Sequence, residues 1–317
     1  MNIAVLDADA VLAAVTPAAA IEQVRAALVH HHAGDWVMPP KVYLQADAAD
    51  GDFRAMPARG DGLALLKWIT SFPGNPGRGL PTVMGVVCVS DANTGVPLML
   101  LDAATVTVLR TGAVAAVAAR ALAAPGASSV GILGCGVNGA WVARCMAAAG
   151  FGPGVCFDPD PVAARRIADE LGWTVAGARA EAVGADVVCC VTPGSEPVID
   201  LNDLHPGMHL NMLGADAAGK AEATLEVVGA CTLFCDEWQQ ASHGGELTEA
   251  VRTGLVGRDR VTELGAVLAG TARGRPGPEA VTLFDSTGLA IQDLAIARAA
   301  LAAWRDGRTG AQIVRLG

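Results

Sequence analysis

The stretch Val130-Gly-Ile-Leu-Gly134-Cys-Gly136-Val-Asn-Gly139 joins an apolar run to a Gly-x-Gly-x-x-Gly pattern, and an Ala-rich helical segment follows it. This order is typical of a dinucleotide-binding βαβ unit. In such a unit Gly134 allows the tight turn, Gly136 lets the backbone approach a pyrophosphate, and Gly139 permits close packing of the helix on the strand. The phosphates would lie on unpaired backbone N–H groups at the helix N-terminus. The pattern therefore predicts a Rossmann-type unit.

The second strand-like segment of this unit, Val155-Cys-Phe-Asp158, ends in an acid. It lies about 20 residues after the glycine pattern, as the dinucleotide fingerprint requires. A carboxylate at this place can accept hydrogen bonds from both ribose hydroxyls and would repel a 2′-phosphate. We therefore expect the cofactor to be NAD(H), in preference to NADP(H).

The rest of the chain divides into two kinds of region. Residues 41–101 contain strand-like segments joined by turn residues, which favours an antiparallel meander. From residue 129 onward, strands alternate with helical segments, which favours a doubly wound parallel sheet. We expect an α/β protein in which a Rossmann domain, residues 114–292, is inserted in a mixed α+β domain, residues 1–113 and 293–317. The expected strands are 41–46, 52–57, 63–71, 82–90, 97–101, 130–133, 155–158, 187–191, 209–213, 233–235 and 281–284; the expected helices include 17–33, 105–124 and 289–304.

Composition narrows the classes of function. The chain has 317 residues, 52% of them hydrophobic, which is enough for a large core. A net charge of −10 disfavours nucleic acid as a partner. We see no uninterrupted apolar stretch of about 18 residues and no basic segment at the N-terminus, so we expect no membrane partner and a cytoplasmic protein.

Cysteine and histidine clusters invite a metal hypothesis that the spacing does not favour. None of the eight cysteines forms a Cys-x-x-Cys pair, so we expect buried thiols and neither a disulfide framework nor a zinc site. His30, His31 and His32 point in different directions around a helix and cannot jointly bind one ion there. We expect no metal.

Three cations interrupt apolar strand-like segments of the first region: Lys41, Arg54 and Lys67. A single lysine on a strand usually faces solvent. Three cationic side chains on neighbouring strands, in contrast, favour a site for an anionic ligand. Arg110 lies in a helical run with little other charge and suits planar recognition of a carboxylate or phosphate.

In the second region, the segment Asn211-Met-Leu-Gly-Ala-Asp216 places an acid after a strand. Ligands of doubly wound sheets bind at the carboxyl ends of the strands. Asp216 is therefore a candidate functional acid, with a helix N-cap as the alternative. Lys220 and Glu222 follow closely and could pair with each other.

These residues together resemble the ornithine cyclodeaminase/μ-crystallin family, and within it the archaeal-type NAD-dependent alanine dehydrogenases. The resemblance covers nearly the whole chain. The motifs that carry it are Met38-Pro-Pro-Lys-Val-Tyr-Leu, Phe53-Arg-Ala-Met-Pro-Ala, Leu66-Lys-Trp, Gly79-Leu-Pro-Thr-Val-Met, Leu109-Arg-Thr-Gly-Ala, Gly134-Cys-Gly, Gly214-Ala-Asp-Ala-Ala-Gly-Lys, His243-Gly-Gly-Glu and Phe284-Asp-Ser-Thr-Gly-Leu-Ala-Ile-Gln-Asp.

The resemblance implies that the mixed domain binds a small amino or keto acid and forms a homodimer. It implies that Lys41 and Asp216 are catalytic and that Arg54, Lys67, Arg110 and Thr287 lie at the substrate. It also implies a set of residues lining the dinucleotide: Thr82, Gly134, Gly136, Val137, Asn138, Gly139, Asp158, Thr192, Leu210, Asn211, Met212, Leu213, Lys220 and Ser286.

The favoured reaction is NAD-dependent oxidative deamination of L-alanine to pyruvate and ammonia, or its reverse. Cyclodeaminases carry an acid where this chain has Arg54, and an arginine would repel the distal ammonium of ornithine or lysine. Reduction of a cyclic imine carboxylate stays open, because it needs the same hold on a carboxylate. Cyclodeaminase-type ammonia release and a non-enzymatic, crystallin-like dinucleotide-binding protein are weaker alternatives.

Overall fold

The structure is a computed structural model that describes residues 1–47, 50–194, 196–215, 217 and 219–317. It splits into two compact units. Unit 1 consists of Met1–Arg110 and Leu289–Gly317, and unit 2 of Thr111–Gly288. These limits lie within a few residues of the domain boundaries expected from the sequence, whereas the functions assigned to the two domains stay predictions.

Unit 1 contains a seven-stranded sheet in the order β15-β1-β6-β5-β4-β3-β2. Strands β2 to β6 form the expected antiparallel meander, and β1 pairs in parallel with β6. The edge strand β15 and its neighbour β1 were not expected from the sequence. The strands are β1 (Asn2–Leu6), β2 (Val42–Ala46), β3 (Gly51–Gly60), β4 (Leu63–Ser71), β5 (Val83–Asp91), β6 (Pro97–Asp102) and β15 (Gln312–Arg315).

Helices cover the inner face of this sheet. The second helix begins and ends as the sequence predicts: the Thr16 hydroxyl accepts the Ala19 N–H at 3.3 Å, and Gly34 ends it with a φ of 83°. The last helix, α11, packs against this helix and against β3 and β4. The helices are α1 (Ala8–Ala14), α2 (Pro17–Ala33), α3 (Ala103–Leu122), which continues into unit 2, and α11 (Ala290–Arg305).

Unit 2 contains an eight-stranded sheet in the order β13-β12-β14-β11-β10-β7-β8-β9, and all its strand pairs are parallel. The doubly wound sheet expected from the sequence is confirmed, and the short strands β9 and β13 are additions. The strands are β7 (Val130–Leu133), β8 (Gly154–Phe157), β9 (Thr174–Val175), β10 (Val187–Cys190), β11 (His209–Met212), β12 (Thr232–Cys235), β13 (Val261–Glu263) and β14 (Thr282–Asp285). The helices are α4 (Val137–Ala148), α5 (Pro161–Leu171), α6 (Arg179–Val183), α7 (Leu225–Ala230), α8 (Trp238–Gly244), α9 (Thr248–Arg252) and α10 (Leu264–Leu268), with short 3₁₀ helices at Asn75–Arg78, Leu201–Asp203 and Arg258–Arg260.

One helix, α3, is long and apolar enough by length and composition to cross a membrane, and the pair α1 and α2, bent by 79°, passes the same test if taken as one span. Buried residues make up 83% of the most apolar part of α3. The core helix of a globular domain has the same properties, so this is weak evidence for a membrane span.

The cysteines carry free thiols, and seven of the eight are buried while Cys88 is half-buried. Among the residues that the structure describes, no three His, Cys, Asp or Glu side chains are grouped so as to hold a metal ion.

Candidate functional site

The glycine-rich turn of unit 2 follows β7, whose four residues are all buried. Gly134 has a φ of 91°, and a Cβ there would lie 2.6 Å from the Val191 carbonyl oxygen. A Cβ on Gly139 would collide with the carbonyl oxygen of Gly134, whereas the space beside Gly136 is open. Two of these glycines are thus required by close approach of the backbone, and the third leaves room for a ligand.

The first turn of α4 presents backbone N–H groups to that open space. Gly136 is the N-cap and supplies no side-chain oxygen to these groups. Val137, the first helical residue, is 74% exposed. An anion such as a pyrophosphate would satisfy the unpaired N–H groups and would be stabilised by the helix dipole.

Asp158 stands directly after β8, beside the glycine-rich turn. Its Oδ2 accepts the Cys135 N–H at 2.7 Å, and its Oδ1 accepts the Asp160 N–H at 2.8 Å. A carboxylate has about four lone-pair positions, so both oxygens can accept a further hydrogen bond from a ribose hydroxyl. The negative charge at this position disfavours a 2′-phosphate, as the sequence predicts.

The order of the parallel sheet reverses between β7 and β10, and the crevice of a doubly wound sheet lies at such a point. The loop after β10 is held here by a buried acid, Glu222. The Thr192 N–H and hydroxyl donate to Glu222 Oε1 at 2.6 and 2.8 Å. The N–H groups of Leu213 and Gly214 donate to Oε2 at 2.9 and 2.7 Å. Glu222 therefore joins the loops that follow β10 and β11.

A second buried acid, Glu246, supports this arrangement. Its carboxyl group accepts the N–H groups of Glu222 and Ala223 at 2.7–3.0 Å. Burial, followed by the negative charge of Glu222, raises the pKa of Glu246 to about 8. Burial beside Asp236 and Glu246 raises the pKa of Asp285 well above its ordinary value. At neutral pH a proton on Glu246 is therefore favoured, and the pKa of Asp285 is shifted in the same direction.

Four residues around β11 were expected to line the dinucleotide. Leu210, Asn211 and Met212 are fully buried, and Leu213 is 9% exposed. The Asn211 amide donates to the Ala115 carbonyl oxygen at 3.2 Å, so this side chain is used within the core. A dinucleotide at this edge would meet backbone rather than these side chains, and the roles of the four residues stay predictions.

The segment after β14 contains two other expected ligands of the site. The hydroxyls of Ser286 and Thr287 donate to the buried Asp236 carboxylate at 3.4 and 3.0 Å, and the Gly288 N–H donates to it at 2.9 Å. Sequence reasoning missed Asp236 and the hydrogen bonds that Glu222 accepts. The available signal for Asp236 was an acid directly after an apolar strand. Asp216 lies outside the described residues.

The remaining predicted residues of the dinucleotide set are placed as follows. Lys220 follows β11, and its N–H donates to the Ala217 carbonyl oxygen at 3.3 Å. Thr82 belongs to unit 1 and directly precedes β5; its carbonyl oxygen accepts the Phe72 N–H at 2.8 Å. Asn138 lies in the first turn of α4.

Unit 1 contains a cluster of cations around one buried carboxylate. Lys67, on β4, is 1% exposed, and its Nζ lies 2.8 and 2.7 Å from the two carboxylate oxygens of Asp293 on α11. The Nζ also donates to the Thr107 hydroxyl at 3.3 Å. The Nε of Arg110, on α3, lies 3.8 Å from Asp293 Oδ1. Sequence reasoning missed Asp293, although it is the acid in the first turn of a largely apolar helix.

Charge and burial compete at Lys67. Burial lowers the pKa of Lys67 to about 8; Asp293 opposes this shift, whereas the positive charges of Arg110 and Lys41 add to it. Two of the other predicted cations, Lys41 and Arg110, therefore lie within electrostatic range of Lys67. Among the described residues, Lys67 and Arg110 share one carboxylate, that of Asp293, so this cationic cluster of Lys41, Lys67 and Arg110 contains at least one positive charge that Asp293 does not balance.

Arg54 has a different environment from the one expected. Its guanidinium donates to both carboxylate oxygens of Asp52 at 2.6 and 3.0 Å and lies 5.3 Å from the centre of the Tyr43 ring. The strand register puts Arg54 opposite Ile69, and therefore on the same face of the sheet as Lys67. Because Asp52 offsets its charge, Arg54 repels a distal ammonium less than the sequence argument assumes.

The opposite face of this sheet carries large apolar side chains at the surface. We call it the outer apolar face and define it by Val42, Leu44, Leu66, Trp68 and Val86, which are 38–63% exposed. Val42, Trp68 and Val86 lie in one row across the sheet, because Ala55 joins Val42 to Trp68 in the register. An exposed apolar patch of this kind commonly marks a protein interface.

Comparison with known proteins extends over this whole architecture. Residues 1–308 match the Ornithine cyclodeaminase/mu-crystallin family. The chain belongs to this family. The resemblance inferred from the sequence motifs is confirmed.

Individual members of the family are similar over most of their length. An alanine dehydrogenase of Archaeoglobus fulgidus is 40% identical over 267 residues, 82% of each chain. An archaeal alanine dehydrogenase dimer, solved with bound NAD, matches with a TM-score of 0.95 and 35% identity over 100% of both chains. The iminosuccinate reductase of Paracoccus denitrificans, solved with NAD⁺, matches with a TM-score of 0.91 and 29% identity, again over 100% of both chains. The NAD predicted from Asp158 is the cofactor that both solved structures hold.

Proposed function

We propose that the protein is an NAD-dependent oxidoreductase that acts on the C–N bond of a small amino acid. The favoured reaction converts L-alanine, NAD⁺ and water to pyruvate, ammonium, NADH and a proton, or runs in reverse. The observation that carries this proposal is the cationic cluster of unit 1, in which Lys67 and Arg110 face the carboxylate of Asp293 and Lys41 adds positive charge at Lys67. Its surplus positive charge fits the carboxylate that amino and keto acids share.

Within the cluster, the side chains differ in access to a ligand. The Arg110 side chain is 13% exposed and that of Lys67 only 1%. Arg110 is therefore the group that would contact a substrate carboxylate directly, since a guanidinium can form two parallel hydrogen bonds with it. Lys67 is more deeply buried than Arg110 and would attract the substrate carboxylate through its charge without contacting it. Fixing the carboxylate orients the neighbouring carbon, and this contributes to the rate.

The dinucleotide is proposed to bind unit 2 at the glycine-rich turn. Bound NAD⁺ supplies the acceptor for the hydride that leaves the substrate carbon. The turn offers unpaired N–H groups at the start of α4 for the pyrophosphate, and Asp158 offers oxygens for the ribose hydroxyls. The identity of the cofactor is supported by these residues and by the NAD-bound relatives.

Proton transfer is assigned to Lys41 and Asp216, as expected from the sequence. Loss of hydride from the amino acid gives an imine, water adds to it, and ammonia leaves the resulting carbinolamine. Lys41 would donate a hydrogen bond to the carbinolamine or carbonyl oxygen. Asp216 would accept protons from the amine and the attacking water. Thr287 and Arg54 are proposed to lie beside the substrate.

A second candidate reaction is reduction of an imine carboxylate by NADH. The full-length match with iminosuccinate reductase favours it, and it needs the same cationic cluster. A third candidate is a cyclodeaminase-type reaction on a diamino acid. Because Asp52 places an acid beside Arg54, this reaction is less disfavoured than the sequence suggests.

The outer apolar face supports a homodimer. A sheet face with several exposed large apolar side chains gains free energy when a second copy covers it, at about 25 cal/mol per Å² buried. The solved archaeal alanine dehydrogenase is a dimer. Trp68→Asp is expected to give a monomer by multi-angle light scattering, with Asp91→Asn as a surface control.

The free thiols fit a reducing compartment, and we propose a cytoplasmic protein.

Activity assays separate these possibilities. Oxidation of NADH at 340 nm is measured with pyruvate plus ammonia, iminosuccinate or piperideine-2-carboxylate, and reduction of NAD⁺ with alanine; ornithine is scored by its cyclised product. Turnover of pyruvate and alanine supports the first reaction, and its absence contradicts it. Asp216→Asn should lose most of the rate while keeping NADH affinity, whereas a protein that only binds NADH has no rate to lose.

A further inference from the structure

Asp293 has no role in the reaction proposed so far, yet its environment is unusual for an acid. It lies in the first turn of α11 and is fully buried. A buried carboxylate is costly unless opposite charges and hydrogen bonds compensate for the loss of water. The compensation here comes mainly from one side chain on another element, the ammonium of Lys67.

The polar and charged groups that face Lys67 come from α11, from α3 and from the segment just before β2. Asp293 approaches from α11 with both oxygens within 2.8 Å, and the Thr107 hydroxyl lies at 3.3 Å from α3. Arg110, also on α3, and Lys41, just before β2, contribute positive charge. Asp293 is therefore the acid that balances this group of cations among the described residues.

From this arrangement we infer that Asp293 is a positioning residue of the substrate site: its buried carboxylate fixes the Lys67 ammonium and keeps it charged. This inference rests on the proposed function, since it gives the cationic cluster the task of holding a substrate carboxylate. Asp293 itself touches no substrate and acts through Lys67.

The electrostatic consequence has a definite sign. Burial, Arg110 and Lys41 all lower the pKa of Lys67, and the value of about 8 is reached with Asp293 opposing them. Without the Asp293 charge, the pKa of Lys67 falls further, and a smaller fraction of the amine carries a proton at neutral pH. The cluster then offers one positive charge fewer to a carboxylate.

The sequence allows a direct measurement, because the chain contains three lysines: Lys41, Lys67 and Lys220. Lysine labelled with ¹³C at Cε gives three signals whose pH titrations can be followed by NMR in the full chain. The Lys67 signal is identified by its loss in Lys67→Met. In the wild type it should titrate near pH 8. In Asp293→Asn its midpoint should fall by at least about one unit.

The same change should appear in ligand binding. With NADH present, pyruvate binding measured by calorimetry should weaken as the pH rises through about 8 in the wild type. In Asp293→Asn it should be about tenfold weaker at pH 7.5, with unchanged NADH affinity. The matched control is Asp61→Asn, because Asp61 pairs with Arg298 on the same helix α11 at 2.8 Å. In Asp61→Asn, neither the midpoint of the Lys67 titration nor the midpoint of the pH dependence of pyruvate binding should change.

An unchanged or raised Lys67 midpoint in Asp293→Asn overturns the inference. If that variant does not fold, Lys67→Met is compared with Lys67→Met/Asp293→Leu, which removes both buried charges. Equal pyruvate affinity in these two variants supports action through Lys67, and a further tenfold loss in the double variant contradicts it. A wild type that shows the expected lysine titration but neither binds nor turns over pyruvate contradicts the proposed function alone.

Discussion

The two units bury charge in different ways. In unit 1, Lys67 and Arg110 face one carboxylate, Asp293, and the compensation is between side chains. In unit 2, Glu222 and Glu246 are held chiefly by backbone N–H groups of the loops that follow parallel strands. The first arrangement leaves positive charge in surplus, and the second uses the acids to fix backbone.

The cationic cluster of unit 1 is suited to binding a ligand, whereas the buried acids of unit 2 are suited to ordering loops. The cationic cluster can attract an anionic ligand because its charges are not balanced one for one. The acids of unit 2 are already saturated with donors or protonated, so they order the loops while backbone N–H groups and Asp158 would meet the dinucleotide. Substitutions in the two places should therefore have separable effects on binding of the acid and of NADH.

The largest effect is expected for Glu222→Ala. This change leaves four donors without their partner, namely the buried N–H of Leu213 and the half-buried N–H groups of Thr192 and Gly214 and hydroxyl of Thr192. Each buried unsatisfied donor costs about 1–3 kcal/mol. The free energy of unfolding in urea should fall by several kcal/mol, and NADH affinity should fall at least about tenfold.

The control for this variant is Glu226→Ala, because Glu226 is exposed on α7 in the same unit. It should change neither quantity. Unchanged stability and NADH affinity in Glu222→Ala would show that the loops after β10 and β11 do not depend on this carboxylate.

Lys67→Met should weaken the binding of pyruvate and leave the binding of NADH almost unchanged. Removing the ammonium removes one charge from the cluster and should weaken pyruvate binding by about 10–100-fold, since two unit charges about 6–8 Å apart interact by about 2–3 kcal/mol at an effective dielectric constant of about 20. NADH affinity should stay within about twofold of the wild type. Ile69→Met, at the next inner position of β4, controls for packing alone. Equal losses of pyruvate and NADH affinity would remove the distinction between the units.

Glu246→Gln tests the proton on the buried acid. Because the pKa of Glu246 is raised from 4.5 to about 8 in the folded chain, the folded state binds one proton more than the unfolded state within this window. The contribution of Glu246 to the free energy of unfolding is therefore fully present below about pH 4.5 and declines as the pH rises to about 8.

The amide in Glu246→Gln cannot ionise, so the decline should be smaller in urea unfolding series between pH 5 and pH 8. The variant should equal or exceed the wild type in stability at pH 8. A pH dependence as steep as that of the wild type would indicate that Glu246 is ionised in the folded chain.

The smallest effect is expected for Asp158→Ser. Loss of the negative charge after β8 should reduce the preference for NADH over NADPH by about tenfold, through weaker ribose contacts and less repulsion of the 2′-phosphate. Asp160→Ser is the control, because serine can also cap α5 while a nearby charge is removed. An unaltered preference in Asp158→Ser would assign cofactor choice to other residues.

Much of the fold could be predicted because its signals are local. The glycine-rich turn, the Thr16 and Gly34 caps of α2 and the strand pattern of the meander all depend on residues close together in the chain. Strands β1 and β15 were missed because they are short and pair with each other across nearly the full length of the sequence. Their pairing is tertiary and leaves little local pattern.

The site shows the same division. Residue type singled out Lys67 and Arg110 as cations in apolar surroundings, but their counterion lies 226 residues from Lys67 in sequence. The bonds that Glu222, Asp236 and Glu246 accept depend on which loops meet at one edge of the parallel sheet. The Asp52–Arg54 pair, in contrast, spans two residues and could have been found from the alternation of a strand.

The most direct measurement is a crystal structure of the enzyme with NADH and pyruvate. Pyruvate should bind with its carboxylate within hydrogen-bonding distance of the Arg110 guanidinium and next to the Lys67–Asp293 pair, and the pyrophosphate should lie at the start of α4. Pyruvate bound away from Arg110, with the cationic cluster uninvolved, would contradict the account.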